Sequence, residues 1–246
     1  MQGWSEGTIV HRHLWAPGLV TLRVAAATDP LVPGQFHNLA LAKGEAWIRR
    51  SYSVASAPGA PLEFFVTRVE DGDLTPELTD LPVGSRLWVE PRPRGYFTLE
   101  VVPPVPELWM WATGTGLGPY LSMLRTPAAV ARFQRIVLVH GVRQGAHLAY
   151  AEELEALSAS RPGWFTRIPV VSREAVPGAL HGRVTTLFAD GSVERRAGAI
   201  LSPERAHVLL CGNPAMVEQM AELLGERGLR RHRARSPGHV TYEKYW

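Results

Sequence analysis

The sequence predicts two domains: an N-terminal six-stranded antiparallel β-barrel and a C-terminal α/β domain built on a parallel sheet. Three observations predict this. Short alternating, β-branched and aromatic runs, separated by Pro/Gly turns, fill the first hundred residues. A proline-rich joint follows, Val101-Val102-Pro103-Pro104-Val105-Pro106, through which no helix can run. Beyond it, apolar strand-like runs alternate with helical patterns, the arrangement of a parallel sheet with helices on both faces. The chain of 246 residues is long enough for two modest domains, with boundaries expected at 1–102 and 103–246.

In the first half six runs read as strands: TIVHRHLW, LVTLRVAA, FHNLALA, RRSYSVAS, LEFFVTRV and SRLWVEP. Turns at Pro17-Gly18, Pro33-Gly34, Pro58-Gly59, Asp71-Gly72 and Pro82-Val83-Gly84 separate them. Six strands at this spacing suit a small barrel, because closure leaves no exposed edge. A helical turn is expected near residues 75–81. In the second half, residues 108–113, 135–140, 165–172 and 207–211 read as strands, the last taken as the final strand of the parallel sheet. Residues 150–158 are helical and 184–188 begin a short helix. Residues 214–226 form an amphipathic helix, with Met216, Val217, Met220, Leu223 and Leu224 recurring at spacings of three and four. Asn213 suits its cap and Pro214 its first turn.

Composition narrows the function classes. Hydrophobic residues make up 46% and charged residues 20%, which excludes a disordered chain. The single cysteine, Cys211, excludes a disulfide scaffold, a cysteine-ligated zinc site and a four-cysteine iron–sulfur cluster. There is no run of about 18 apolar residues, so no membrane span is expected. The opening MQGWSEGTIVHRHLW lacks the basic-then-apolar design of a signal peptide, and a cytoplasmic protein is expected. Of the 26 basic residues 24 are arginine, a bias that genome composition accounts for. Individual guanidiniums still grip phosphate in a two-pronged way that an ammonium cannot. The densest basic stretch, RGLRRHRAR at 227–235, is either solvated surface or a docking face for an acidic partner. A net charge of only +3 and the lack of a nucleic-acid motif argue against nucleic acid. His11 and His13 share a strand face without a third ligand, so no metal site is expected.

Five segments carry chemistry. Thr113-Gly114-Thr115-Gly116-Leu117-Gly118-Pro119 lies between an apolar strand and a helix, at the first strand-to-helix turn of a parallel sheet. Glycines let a pyrophosphate approach the backbone, and a helix N-terminus offers free N–H groups. The alternative is a tight glycine turn with no ligand. Pro119 stands where the dinucleotide fingerprint wants glycine, and Val139-His140-Gly141 places no acidic residue after the next strand, so this is not the usual NAD-type site. Arg50-Ser51-Tyr52-Ser53 lies on a strand of the barrel half, and Asp71-Gly72-Asp73-Leu74-Thr75-Pro76 is a turn running into a short helix. Cys211-Gly212-Asn213-Pro214 ends a strand, and Glu243-Lys244-Tyr245-Trp246 ends the sequence. Arg143, Arg173 and Arg183 follow at the carboxyl edge of the sheet. They are cations at the edge where ligands bind in such sheets, or else unliganded surface arginines.

RSYSVASAP, the glycine–Thr75 segment, ATGTGLGPYLS, LVHGVR, VVSRE, LLCGNPAMV and the terminal PGHVTYEKYW occur in this order. With them the chain resembles the bacterial ferredoxin–NADP reductases (flavodoxin reductases), from Pro33-Gly34-Gln35-Phe36 to the last residue. These are two-domain flavoproteins with an FAD-binding barrel and an NADP-binding α/β domain, and the Tyr-Trp ending resembles one bacterial subgroup. The resemblance implies FAD and NADP(H) as cofactors. It implies Arg50 at the FAD pyrophosphate, Tyr52 stacked on the flavin ring, Ser53 near flavin N5, and the backbone N–H groups of Asp73, Leu74 and Thr75 on the phosphates. Ser51, Val66 and Gly72 would also line the FAD. Tyr245 would cover the other flavin face and Trp246 the adenine. Thr115 would sit by flavin and nicotinamide. Arg173 and Arg183 would hold the 2′-phosphate with Arg143 nearby, and Ser172, Gly212, Asn213 and Met216 would line the nucleotide. Cys211 and Glu243 would flank the nicotinamide, Glu243 either relaying a proton or forming a salt bridge in the tail. The catalytic candidates are Ser53, Cys211, Glu243 and Tyr245.

The activity so implied is hydride transfer from NADPH to FAD and single-electron delivery to ferredoxin or flavodoxin, small acidic partners, by a monomeric enzyme. Tyr245 would block the nicotinamide position at rest and move aside for turnover. Arg230, Arg231 and Arg233 are candidates for steering the partner. Two alternatives stand beside this activity. One is an NAD(P)H-dependent flavin reductase or oxygenase reductase component on the same scaffold. The other is a non-catalytic nucleotide-binding subunit.

Overall fold

The computed structural model describes residues 2–44 and 46–245. The chain divides into two compact units, Met1–Leu99 with Gly118–Val130, and Glu100–Leu117 with Ala131–Trp246.

The first unit holds β1 (Ser5–Ala16), β2 (Leu19–Ala25), β3 (Phe36–Lys43), β4 (Ala46–Ser53), β5 (Leu62–Thr67) and β6 (Arg86–Val89). Their order is β4-β3-β6-β1-β2-β5, and every neighbouring pair is antiparallel. Just beyond β4, Val54 bridges Phe64 of β5, so the two outer strands meet and the barrel closes. Strand alternation sends Ile9, Leu22, Val24, Leu39, Phe64, Leu87 and Val89 into one core. The expected helical turn is α1 (Thr75–Asp80). Its Leu78, with Leu74 just before it, fills the barrel end.

Two further helices, α2 (Gly118–Leu124) and α3 (Pro127–Val130), also belong to this unit. The Ser122 hydroxyl donates to the Ser56 carbonyl at 2.7 Å, and Arg125 donates to the Ala55 carbonyl at 2.9 Å and to Glu63 at 2.7 Å. Glu63 also pairs with Arg23 at 2.7 Å. Burial pushes the Glu63 carboxyl up, but Arg125 and Arg23 outweigh burial and leave it below the usual carboxylate range. The helix after the glycine turn is thereby bolted to the barrel, a packing partner that lies more than sixty residues away in sequence.

The second unit holds β7 (Glu107–Thr113), β8 (Arg135–Val142), β9 (Phe165–Val171), β10 (Leu180–His181), β11 (Ala206–Gly212) and β12 (Val240–Lys244), in the order β10-β9-β8-β7-β11-β12. All pairs are parallel. Near one face of β9 lies α4 (Ala151–Ser160), whose Glu155 pairs with Arg167 at 2.6 Å. On the opposite face Trp109, Trp111, Val137, Val139, Ile168 and Leu210 pack against α5 (Val184–Ala189), α6 (Ser192–Ala197) and α7 (Pro214–Glu226). Helix α7 covers the expected residues, and the Asn213 side chain accepts from the Ala215 and Met216 amides at 3.0 and 3.3 Å.

Two strands were not expected. β10 has two residues, too few to show alternation. β12 makes the strand carrying Cys211 an interior one rather than the last. Its apolar positions, Val240 and Tyr242, do alternate, but arginines, a proline and the charged tail surround them. Among the described residues no helix is long and apolar enough to cross a membrane.

Candidate functional site

In the barrel unit β4 carries Arg50, Ser51, Tyr52 and Ser53 in succession. Arg50 is exposed, donates to the Arg49 carbonyl at 2.8 Å and forms an ion pair with Asp73. Ser51 donates to Asn38 Oδ1 at 2.6 Å. The Tyr52 ring meets Phe64 edge-on at 6.4 Å, and its hydroxyl is buried with no hydrogen-bond partner among the described residues. Burial raises its phenol pKa, and the Arg50 charge opposes that only in part. Ser53 is nearly buried, and Val66 lies within the barrel core.

The 69–75 turn is locked from inside. Thr75 Oγ1 accepts from the Val69 amide at 2.9 Å, and the Gly72 amide donates to the Val69 carbonyl at 2.9 Å. A Cβ on Gly72 would come within 3.0 Å of Thr75 Oγ1 and the Val69 carbonyl. Arg68 clamps the far side, donating to the Pro76 carbonyl at 3.0 Å and pairing with Glu70 and Asp80. The Leu74 side chain is buried. The amides of Asp73, Leu74 and Thr75 have no backbone acceptor among the described residues, so they remain able to donate to a ligand.

In the second unit the sheet order brings distant segments together. β11 lies beside β7, so the turn Gly114–Leu117 sits against Cys211-Gly212. A Cβ on Gly116 would overlap the Cys211 carbonyl, and one on Gly212, at φ +131, would overlap Thr113 Oγ1. Only glycine permits that approach. Thr113 Oγ1 accepts from the Asn213 amide at 2.9 Å, and His140 Nε2 lies 3.0 Å from the Gly114 carbonyl. Thr115 is buried.

On the other side of β11, Cys211 is paired in register with Glu243, and the Tyr245 amide donates to the Gly212 carbonyl at 3.0 Å. Burial and the Glu243 charge hold the Cys211 thiol well above its ordinary pKa, against a side-chain hydrogen bond with Tyr245. Cys211, Glu243 and Tyr245 therefore converge. Trp246 lies outside the described residues.

The loops after β8, β9 and β10 share the carboxyl edge of the sheet. The Arg173 amide donates to the Arg143 carbonyl at 2.9 Å, and the Gly182 amide to the Val171 carbonyl at 2.9 Å. The Ser172 amide and hydroxyl both reach the Val142 carbonyl, at 3.1 and 3.3 Å. Arg143, Arg173 and Arg183 are all exposed. None of the three has an ion-pair partner among the described residues. Glu174, next to Arg173 in sequence, accepts from the Gly145 amide at 2.6 Å. Met216 points into the sheet–helix core, leaving its backbone near the loop.

Arg230, Arg231 and Arg233 lie elsewhere. Arg231 bridges Val240 at the start of β12, and the glycine turn stands at the strands' other end. They therefore do not surround the carboxyl edge of this sheet. His140, a histidine inside the otherwise apolar run RIVLVHG, is fully buried at the carboxyl end of β8.

The profile described as "Oxidoreductase NAD-binding domain" matches residues 110–222. The chain is 39% identical to the flavodoxin/ferredoxin–NADP reductase of Escherichia coli K12, with all of both chains covered. It is 34% identical to ferredoxin–NADP reductase A of Sorangium cellulosum, over 98% of this chain and 90% of that one. Its fold matches a ferredoxin NADP+ reductase from Neisseria gonorrhoeae, solved with bound FAD and NADP, at a TM-score of 0.92 and 31% identity over 99% of each chain. End-to-end likeness of sequence, fold and motif order leaves one assignment: the chain belongs to the flavodoxin/ferredoxin–NADP reductase family.

Proposed function

We infer that this protein is an FAD-dependent oxidoreductase that moves electrons between NADPH and a ferredoxin or flavodoxin. The observation that carries this is the convergence of the glycine turn, Cys211, Glu243 and Tyr245 at one end of a parallel sheet, in a chain that aligns end to end with these reductases. The residues present fit both cofactors. Among the described residues the buried Tyr52 hydroxyl lacks a partner, and three amides of the 73–75 turn have no backbone acceptor. Three exposed guanidiniums with no ion-pair partner among the described residues stand at the carboxyl edge of the sheet, where ligands bind in such folds. Bound FAD would supply the redox chemistry that links a hydride donor, NADPH, to a one-electron carrier.

The chain's own residues bind, orient and exclude. Arg50 exchanges the Asp73 carboxylate for the FAD pyrophosphate, and the amides of Asp73, Leu74 and Thr75 add charge-assisted hydrogen bonds. Tyr52 supplies the flat face for the flavin and Ser53 a hydroxyl for its N5. Ser51, Val66 and Gly72 complete that wall, Val66 through packing alone. Arg173 and Arg183 grip the 2′-phosphate, with Arg143 beside them. Ser172, Gly212, Asn213 and the Met216 backbone shape the loops around the nucleotide, and Thr115 lies where the nicotinamide arrives. Cys211, a neutral buried thiol, would flank the nicotinamide, with Glu243 in register beside it to relay a proton. Tyr245 holds the nicotinamide's place and must vacate it. The functional division falls at 1–102 for FAD and 103–246 for NADP(H). We place the enzyme in the cytoplasm as a monomer.

A second reading is a reductase serving an oxygenase. It draws on the likeness to the Amycolatopsis cytochrome P450 reductase GcoB, at 28% identity and a TM-score of 0.78 over 69% of that chain. One experiment separates these readings. The purified yellow protein is titrated anaerobically with NADPH and then NADH, and flavin absorbance is followed. Bleaching by NADPH far below the NADH concentration needed, with cytochrome reduction that requires added ferredoxin or flavodoxin, is the expected result. A colourless protein, or carrier-independent reduction, would overturn the proposal.

A further inference from the structure

His140 is fully buried on β8, at the strand's carboxyl end, in a run that is otherwise apolar. Its Nε2 meets the Gly114 carbonyl at 3.0 Å, while Nδ1 has no partner among the described residues. A carbonyl only accepts, so Nε2 carries a proton and donates to Gly114, and the neutral ring is the Nε2–H tautomer. Burial and the Arg167 charge both favour this neutral form and bring the His140 pKa down to about 4, although the Gly114 bond works in the opposite direction. Arg167 lies on the neighbouring strand β9 and on the same face, opposite Leu138, which is two positions before His140. Its side chain is only 6% exposed, and its Nη1 is held by Glu155. The imidazole is thus fixed beside a buried cation, with one N–H to give.

The glycine turn is held from its other flank by the Asn213 amide on Thr113 Oγ1. Gly114 itself has φ +53, a left-handed conformation that no Cβ stabilises or restricts. A flexible residue in a ligand-binding turn needs an external restraint, and the His140 N–H supplies it at the carbonyl. We propose that His140 is a positioning residue for the nicotinamide nucleotide: its Nε2–H pins the Gly114 carbonyl and so holds the Gly114–Leu117 turn in the form that receives NADP(H). The inference rests on the reading of that turn as the nucleotide site.

The test uses FAD-loaded enzyme. NADP+ affinity is read from the perturbation of the flavin spectrum, and NADPH KM and kcat from turnover. His140→Leu removes the donor, and His140→Gln can offer an amide N–H to the same carbonyl. We expect His140→Leu to weaken NADP+ binding and raise the NADPH KM about tenfold, the effect of losing one buried hydrogen bond, with kcat and FAD content unchanged. His140→Gln should recover to within about threefold of wild type. Equal NADP+ affinity in wild type and His140→Leu, or equal losses in both variants, overturns the inference alone. Wild-type enzyme that fails to bind NADP+ overturns the nucleotide-site reading and the inference with it. If the leucine variant does not fold, long-range 15N spectra of the wild-type holoenzyme decide. A neutral Nε2–H imidazole whose signals move on NADP+ addition supports the proposal, and its absence sinks it.

Discussion

Glu63 lies buried between two guanidiniums, Arg23 and Arg125, each at 2.7 Å. Breaking such a pair leaves a cation uncompensated, and Arg125 is the more enclosed, its side chain 20% exposed against 50% for Arg23. We expect Glu63→Gln to cost about 3 kcal/mol, the low end for a broken buried pair, because water recovers part of the loss at Arg23. Urea unfolding measures it, and a loss under about 1 kcal/mol would mean solvent already screens the network. Arg173 is the contrasting case. It is exposed and has no ion-pair partner among the described residues, so its loss should appear in ligand choice rather than in stability. Arg173→Ala should weaken NADPH by roughly 10–200-fold and leave NADH untouched, the value of one charge-assisted phosphate contact. An unchanged NADPH/NADH preference removes Arg173 from the 2′-phosphate site. Glu174, which by charge would oppose NADP, is engaged by the Gly145 amide.

β12 shows what an element adds to its residues. Parallel pairing with β11 sets Glu243 beside Cys211 and carries Tyr245 onto the Gly212 carbonyl. Tyr245 thereby occupies the carboxyl end of β11, where the nicotinamide is proposed to bind. A binding-competent fraction reduced by such a plug lowers apparent affinity in proportion. Deleting Tyr245 and Trp246 should therefore tighten NADP+ roughly tenfold, read by titration of the flavin spectrum. Unchanged affinity would show that the tyrosine does not obstruct. Helix α7 and its cap were legible in the sequence, because capping and apolar spacing are local properties. β12 and β10 were not: one is a short strand ordered by its neighbour, and the other has two residues.

Across the whole molecule, buried titratable groups set the response to acid. Burial lowers the His207 pKa to about 3, with help from His232, His239 and Arg132, and burial with the Arg167 charge lowers that of His140 to about 4. The unfolded chain binds protons at these histidines near pH 6.5 while the native one refuses them. Their stabilising effect is complete above that pH and is lost as pH falls toward the native values. Glu63 and Glu90, held below the ordinary carboxylate range, add a second loss below about pH 4.5. Urea midpoints should thus be level from pH 8 to 7, fall by a few kcal/mol in equivalent stability between pH 6.5 and 5, and fall again below. His207→Gln should flatten the first stage, and a slope unchanged by that substitution would remove His207 from it.

The barrel strands, the parallel sheet, helix α7 and the phosphate-suited turns at 71–76 and 113–119 were determined by the sequence itself. Alternation, turn residues and caps act over a few neighbours and need no knowledge of the rest of the chain. Three features waited for the tertiary structure. They are the packing of α2 on the barrel through Arg125 and Glu63, the meeting of Thr113 with Asn213 a hundred residues on, and the hydrogen bond from His140 to Gly114. Each depends on which strands become neighbours. Strand order is a property of the assembled sheet, where burial and hydrogen bonding are shared between segments that no local pattern connects.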